Sequence, residues 1–272
     1  MEGRYPVKVQ PLPWYGGKQS KAAWLHSLIP WRKDSTYVEP FGGMAGLLCY
    51  RAPVKCEIFN DLDGRIVNWW RMVREYPDEL GRLVEGMPHS EAEYQWAKGA
   101  VDDEEETDLR RALAFYVMVT QGSVKSAHNS GWAAGYSETA VRRCSYGRVK
   151  GLCERMQNVQ LFHRPATEIV ERVSLLDYAV VYIDPPYHSA DTKKYSERNL
   201  NIDELTSLLK GQKGCVAISG YPGEWNHLDW QRHELETTLQ SMLNADKREP
   251  RTEVLWTNYD AHAEQAIGGL FA

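Results

Sequence analysis

Four consecutive residues, Asp184-Pro185-Pro186-Tyr187, follow directly on the apolar run DYAVVYI at 177–183. A short β-branched run of this kind reads as a buried strand. The two prolines end it, because proline cannot continue a central strand and has no backbone N–H to donate. They also hold the next stretch of backbone rigid and extended. The Asp184 carboxylate and the Pro185 carbonyl can then aim two acceptors at one amino group, with the Tyr187 ring beside them. A simple strand terminator explains the prolines, but not the acid before them or the aromatic after. The chemistry this pattern suits is chemistry at an amino nitrogen.

Three other groups of residues could serve a ligand. Gly42-Gly43 follow the short run Tyr37-Val38-Glu39. Glycines after a strand let backbone approach a ligand and set the turn into a helix, although a bare turn explains them equally well. Asp61 ends the run Cys56–Phe59-Asn60 and is placed to accept hydrogen bonds from a ribose diol or to cap the next helix. Asp63 is the better candidate for that cap. Near the N-terminus, Trp14-Tyr15-Gly16-Gly17-Lys18 contains a Gly-Gly-Lys, but the phosphate-loop spacing is absent and Gln19 follows the lysine, which excludes ATP binding by such a loop.

The elements that must position these residues form a βαβ rhythm. Apolar runs at Tyr37-Val38, Cys56–Phe59, Ala179–Ile183, Cys215–Ser219 and Glu253–Trp256 read as strands. Helical patterns lie between, at Lys21–Leu28, Gly46–Tyr50 and Arg65–Arg74. This is the pattern of an α/β sheet, in which ligands bind at the carboxyl ends of strands. Strands ending in Glu39, Asp61 and Asp184 would converge on one pocket. The stretch from Tyr76 to Arg164 breaks the rhythm. It holds a helix at Leu109–Thr120, then a polar, glycine-rich part too poor in apolar residues for a large core of its own. It reads as an insertion, so that 1–75 and 165–272 make one catalytic domain and 76–164 an inserted subdomain. The acidic run Asp102–Glu106 with Asp108 suits the start of a helix.

Composition bounds the partners. The chain has 272 residues, 43% hydrophobic and 25% charged, long enough for a full core without staples. Five cysteines with no CxxC pair fit neither a disulfide framework nor a zinc site, and a reducing cytoplasm is expected. No apolar run is long enough to span a bilayer, and the N-terminus lacks the apolar core of a signal peptide. The net charge of −5 taken as an average argues against a polyanionic partner. The average hides an asymmetry: residues 121–164 carry seven cations against two carboxylates, a net of +5, which leaves −10 for the rest. Trp132, Tyr136 and Tyr146 are interleaved with those cations. Such a segment reads as a nucleic-acid surface or as a solvated loop region.

The Asp-Pro-Pro-Tyr motif is the hallmark of methyltransferases acting on amino groups of nucleic-acid bases. Here the chain resembles the α-class N6-adenine DNA methyltransferases of the DNA adenine methylase (Dam) family. Pro13-Trp14-Tyr15-Gly16-Gly17-Lys18 is similar to the family's W-x-G-G-K opening. Tyr37-Val38-Glu39-Pro40-Phe41-Gly42-Gly43 is similar to its E-P-F-x-G cofactor turn, and Asn60-Asp61-Leu62-Asp63 stands where the family has its second-strand acid. The resemblance spans roughly residues 12 to 260. One departure is local: the turn commonly reads F-x-G-x-G, whereas Ala45 stands at the second glycine's place and Gly46 follows.

The resemblance implies a Rossmann-like S-adenosylmethionine-dependent sheet with helices on both faces and an inserted target-recognition subdomain. It implies catalytic roles for Asp184, Pro185, Pro186 and Tyr187. Cofactor contacts are expected from Trp14, Tyr15, Gly17, Lys18, Glu39, Pro40, Phe41, Gly43, Asp61, Leu62 and Asp184, with no metal. Double-stranded DNA would be gripped by Lys125, His128, Asn129, Arg142, Arg143, Arg148 and Lys150. Lys193-Lys194 either close over the nucleotide or lie in a solvated loop. Asp184 and the Pro185 carbonyl would accept the two hydrogens of an adenine N6 amine flipped out of the duplex, and Tyr187 would stack on the base. A monomer in the cytoplasm is expected; a restriction endonuclease as functional counterpart, a phage role and a solitary methylase are alternatives. Adenine in RNA, cytosine N4 and a protein glutamine amide are alternative substrates. Glutamine-methylating relatives usually carry Asn before Pro-Pro-Tyr and lack the W-x-G-G-K opening, and Ser is commoner first for cytosine. A non-catalytic DNA-binding relative is a further alternative, marked by failure to bind S-adenosylmethionine.

Overall fold

Short runs that are apolar throughout end up at the centre of a sheet, because both of their faces are covered. The computed structural model describes residues 9–123, 131–134, 145–186, 200–238, 250–261 and 263. Its strands are β1 (Thr36–Glu39), β2 (Cys56–Asn60), β3 (Val159–Phe162), β4 (Ala179–Ile183), β5 (Cys215–Gly220), β6 (Gln231–Thr238) and β7 (Pro250–Thr257). They form one seven-stranded sheet in the order β3-β2-β1-β4-β5-β7-β6. The first five are parallel, with Val38 level with Ile58 on one side and Val181 on the other. β7 runs antiparallel to both β5 and β6. Every described residue of β1, β4 and β5 is buried.

The helices are α1 (Ala22–Leu28), α2 (Gly64–Glu75), α3 (Pro77–Gly86), α4 (Glu91–Ala100), α5 (Asp108–Gln121), α6 (Tyr146–Met156), α7 (Ala166–Val173) and α8 (Ile202–Lys210). They lie on both faces of the sheet. Strand side chains alternate between two cores: Tyr37, Phe59, Val180, Tyr182, Ala217 and Leu255 join α1, α2 and α5 in one. Val38, Val181, Ile183, Val216, Ile218, Val254 and Trp256 join α7 and α8 in the other. This is the Rossmann-like α/β fold expected.

Local chemistry explains several boundaries. Asp63 caps α2, its side chain accepting from Arg65 N at 3.0 Å, while the Arg65 guanidinium forks onto the same carboxylate. Thr107 caps α5 by accepting from Arg110 N. Pro77 occupies the first turn of α3, where its missing N–H costs nothing. Gly46–Tyr50 is a chain of turns rather than the expected helix: Cys49 N bonds Ala45 O and Arg51 N bonds Leu47 O. Pro53 disfavours helical backbone at Ala52, so no second full turn forms.

The 76–164 stretch is more closely joined to the sheet than its sequence indicated. Residues 112–121 of α5 are all buried, and α3 to α6 share the first core instead of forming a separate one. Val159–Phe162, which falls inside that stretch, supplies edge strand β3. The other unforeseen strand, β6, is polar (QRHELETT) and exposes much of its length, as suits a sheet edge.

Candidate active site

In a sheet of this order the crevice opens where β1 and β4 part company, outside their carboxyl ends. Glu39, Asp61, Asp184 and Tyr221 all stand on that rim, at or just beyond the ends of β1, β2, β4 and β5.

The turn after β1 is built against β2. Gly42 N donates to Asn60 O at 2.8 Å, and the Asn60 side chain donates to the carbonyls of Pro40 and Arg164 at 2.8 and 2.9 Å. A Cβ on Gly42 would fall 2.1 Å from the Phe59 ring, so only glycine fits. Gly43 has a φ of 50° and Ala45 one of 52°. Ala45 therefore adopts the left-handed backbone that the resembled family's second glycine would supply, with its methyl fully buried. Phe41 packs into the second core.

Asp61 is fastened by backbone. Oδ2 accepts from Gly43 N and Oδ1 from Asp63 N, both at 2.8 Å. Each oxygen keeps a lone pair for a further donor, such as a ribose hydroxyl. Burial pushes its carboxyl up to about 6, against the two N–H bonds that favour its charged form. Leu62 follows, half-buried, its carbonyl 3.0 Å from His163 Nε2. Glu39 is buried, accepts from Tyr37 OH at 2.7 Å, and has its carboxyl pushed up to about 7 by burial.

The N-terminal glycine motif folds over this rim. Gly17 N donates to Trp14 O at 3.1 Å. The Trp14 indole lies 3.5 Å from where a Gly43 Cβ would stand, and 5.7 Å, centroid to centroid, from Phe115 of α5. Tyr15 is exposed. Lys18 is buried, and its ammonium lies 2.6 Å from Asp184 Oδ1 and 2.8 Å from Oδ2. Burial works to lower the Lys18 pKa, but Asp184 and Glu253 outweigh it and the value is raised. Pro185 is buried and Pro186 half-buried. Residues 166 apart in sequence thus form one ion pair.

Two residues of this cluster carried little sequence signal. Glu253, on β7, lies 3.6 Å from Lys18 Nζ and also pairs with Lys21. Tyr221, just past β5, raises the Lys18 pKa and so belongs to the same cluster. A polar residue at the buried start of an apolar strand was the only hint of Glu253.

The expected DNA contacts divide. Lys125, His128, Asn129, Arg142 and Arg143 lie outside the described residues, as do Tyr187, Lys193 and Lys194. Arg148 sits in the first turn of α6, its N–H bonded to Ser145 Oγ. Lys150 pairs with Asp78 of α3 at 3.4 Å and covers the Tyr146 ring. Arg155, counted with the basic segment, is buried and forks onto Glu57 at 2.6 and 2.7 Å, while Arg164 pairs with Glu168. The +5 of that segment therefore overstates what it offers a polyanion. The base of the segment is tied to α5 by Ser123 N–Gly131 O and Ala133 N–Gln121 O bonds, both 2.8 Å.

One rim of a Rossmann-like sheet thus gathers a glycine turn, a strand-end acid and a carboxylate followed by two prolines. The sequence model for the D12 class N6 adenine-specific DNA methyltransferases matches residues 14–227, and the chain belongs to that family. It is 20% identical over 273 residues to the Type II methyltransferase M1.LlaDCHI of Lactococcus lactis subsp. cremoris, covering 90% of this chain and 94% of the relative. Among solved structures it is similar to a precorrin-6y C5,15-methyltransferase from Geobacter metallireducens GS-15, with a TM-score of 0.44, 9% identity and 93% and 98% of the two chains covered. A putative RNA methyltransferase from Pyrococcus horikoshii gives a TM-score of 0.38 at 10% identity, covering 92% and 86%. The family settles the open substrates in favour of adenine N6 in DNA. Among the described residues no helix is long and apolar enough to cross a membrane.

Proposed function

We propose that the chain methylates the N6 amine of an adenine flipped out of duplex DNA, using S-adenosylmethionine and the residues gathered at the β1–β4 crevice. The observation that carries this reading is Asp184, a partly exposed carboxylate beside the Pro185 carbonyl at the switch point of the sheet. The cofactor fits the donor set: Asp61 offers two anchored acceptors to a ribose diol, and Gly43 brings backbone without a side chain to the same carboxylate. Once bound, S-adenosylmethionine supplies an electrophilic methyl group on a sulfonium.

The remaining work falls to the chain. The adenine amine is a weak nucleophile because its lone pair is delocalised into the ring. Asp184 and the Pro185 carbonyl accept its two hydrogens and draw the nitrogen towards tetrahedral geometry, so that positioning and electrostatics supply the acceleration. Asp184 or solvent takes the surplus proton. A stacked base cannot reach this carboxylate, which is why flipping is part of the reading. Tyr187 is assigned to stack on the base, and Trp14, Tyr15, Gly17, Lys18, Glu39, Pro40, Phe41 and Leu62 to border the cofactor. Within the 76–164 insertion, the polar stretch after α5 is assigned to DNA, with phosphate contacts from its basic residues. The enzyme is assigned to the cytoplasm as a monomer.

Asp184→Ala should abolish transfer of radiolabelled methyl to DNA while leaving cofactor binding at least partly intact. Unchanged turnover would overturn the reading. Single-molecule sequencing of DNA from a methylation-free host expressing the chain identifies base and target word together, and methylation at cytosine would also overturn it.

A further inference from the structure

On the function proposed above, Asp184 must accept a hydrogen from the target amine, yet one cation lies within reach of both its oxygens. Lys18 Nζ stands 2.6 Å from Oδ1 and 2.8 Å from Oδ2, and it also donates to Gly16 O at 3.0 Å. At 3.6 Å from the same nitrogen is Oε1 of Glu253, a carboxylate only 2% exposed. The second Glu253 oxygen is held by Lys21 Nζ. Lys21, Glu253, Lys18 and Asp184 therefore form a line of alternating charges that is neutral overall. Tyr221 is a further titratable group acting on Lys18.

This arrangement poses a problem and holds its solution. An amine entering the site brings donors, and Lys18 already supplies donors to the same carboxylate. Each Asp184 oxygen keeps a lone pair, but an amine hydrogen brought to it is crowded by the ammonium on the same carboxylate, a competition relieved when the ammonium gives up one oxygen. A buried ammonium cannot simply be left without a counter-charge, because removing one partner of a buried pair is strongly unfavourable. Glu253 stands within about an ångström of hydrogen-bond distance from the same nitrogen. A small rotation of the Lys18 side chain would exchange one carboxylate for the other with no change in net charge. Lys21 keeps Glu253 aimed, and the antiparallel direction of β7 delivers it to this rim, one residue beyond the Val254–Gly220 pair.

We propose that Glu253 is a positioning residue, the alternative acceptor that takes the Lys18 ammonium when the target amine occupies Asp184. The proposal rests on the role given to Asp184 above. Glu253 itself touches neither amine nor cofactor; it acts through Lys18.

The test compares Glu253→Gln with Glu253→Asp in the full-length enzyme, on a duplex carrying the methylated site found by sequencing. Glu253→Gln should lower kcat about 10- to 100-fold, the scale of one lost charged hydrogen bond. S-adenosylhomocysteine should bind within about threefold of wild type, since no cofactor contact is removed. The acid limb of the kcat profile should move to lower pH, because Asp184 loses a neighbouring negative charge and keeps Lys18. Glu253→Asp, which keeps the charge, should restore part of kcat. A merely structural role would lower the active fraction without moving the acid limb, and that outcome overturns the proposal, as does unchanged kcat. Should Glu253→Gln fail to fold, the wild-type complex with S-adenosylhomocysteine and duplex decides. Lys18 bonded to Glu253 with an Asp184 oxygen released supports the exchange, and Lys18 still on both Asp184 oxygens overturns it. If Asp184→Ala retains turnover, the functional reading itself fails. If it is inactive while Glu253→Gln behaves as wild type, only the role of Glu253 fails.

Discussion

Replacing Gly42 by alanine tests whether the turn after β1 is dictated by packing. Gly42 does not have a positive φ, so its backbone accepts alanine and the cost is steric alone. The added Cβ would stand 2.1 Å from Phe59 Cε2, 2.5 Å from Cδ2 and 2.6 Å from Cζ, where carbon atoms need about 3.5–4.0 Å. The ring must retreat by more than an ångström, but Phe59 is fully buried and meets Trp70 edge to face at 6.1 Å. Trp70 in turn donates to Gly43 O at 3.3 Å. Relief at Phe59 therefore pushes on the indole and on the Gly43 backbone that bonds Asp61. Overpacking of this kind costs about 1–3 kcal/mol, and a cramped site belongs near the upper end. With about 2–4 °C per kcal/mol for a chain of this size, Tm should fall by about 6–12 °C. Loss of the Gly43–Asp61 bond should weaken binding of S-adenosylhomocysteine by roughly tenfold. Circular-dichroism melting and calorimetric titration read the two effects, and adding Phe59→Leu should recover part of each. A Gly42→Ala protein that melts within about 1 °C of wild type and binds normally would refute this account.

Two further perturbations probe buried charge. Glu39 has its carboxyl pushed from 4.5 to about 7, so the fold favours its neutral form. The associated stability is complete below about pH 4.5 and is lost as pH rises through 7, a change approaching about 3 kcal/mol by pH 8–9. Glu39→Gln should therefore melt about 6–12 °C above wild type near pH 8.5, and the gap should close at pH 4–5; a gap independent of pH contradicts this. Arg155→Met breaks the pair with Glu57 and should cost about 3–5 kcal/mol without changing the salt dependence of DNA binding. Arg142→Ala with Arg143→Ala should do the reverse, lowering the salt slope by about two with Tm unchanged. A salt slope that responds to Arg155 would place that guanidinium at the DNA after all.

Much of the site was legible because its chemistry is local in sequence. Asp184 and the two prolines terminate a buried strand, Gly42-Gly43 follow one, and Asp61 ends one, so each residue's role at a strand end could be read from its immediate neighbours. Asp63 as a helix cap was legible for the same reason. The edge strands were not. β3 has four residues of ordinary composition, and β6 is polar because an edge strand faces water, so neither shows the periodicity of a buried element. The charge count was legible but misleading: nothing local distinguishes Arg155, which forks onto Glu57 98 positions away, from an arginine facing solvent.

The class of fold, the carboxyl-end placement of the acids and the Asp-Pro-Pro stop after β4 follow from strand periodicity, proline and glycine, and so were set locally in the chain. The pairing of Lys18 with Asp184, and the antiparallel strand that brings Glu253 to the same ammonium, came from long-range packing. It also decided that Ala45 takes the left-handed backbone of a glycine. Ion pairs depend on which elements the sheet order places side by side. That order is set by the packing of two cores on opposite faces, not by any run of neighbouring residues.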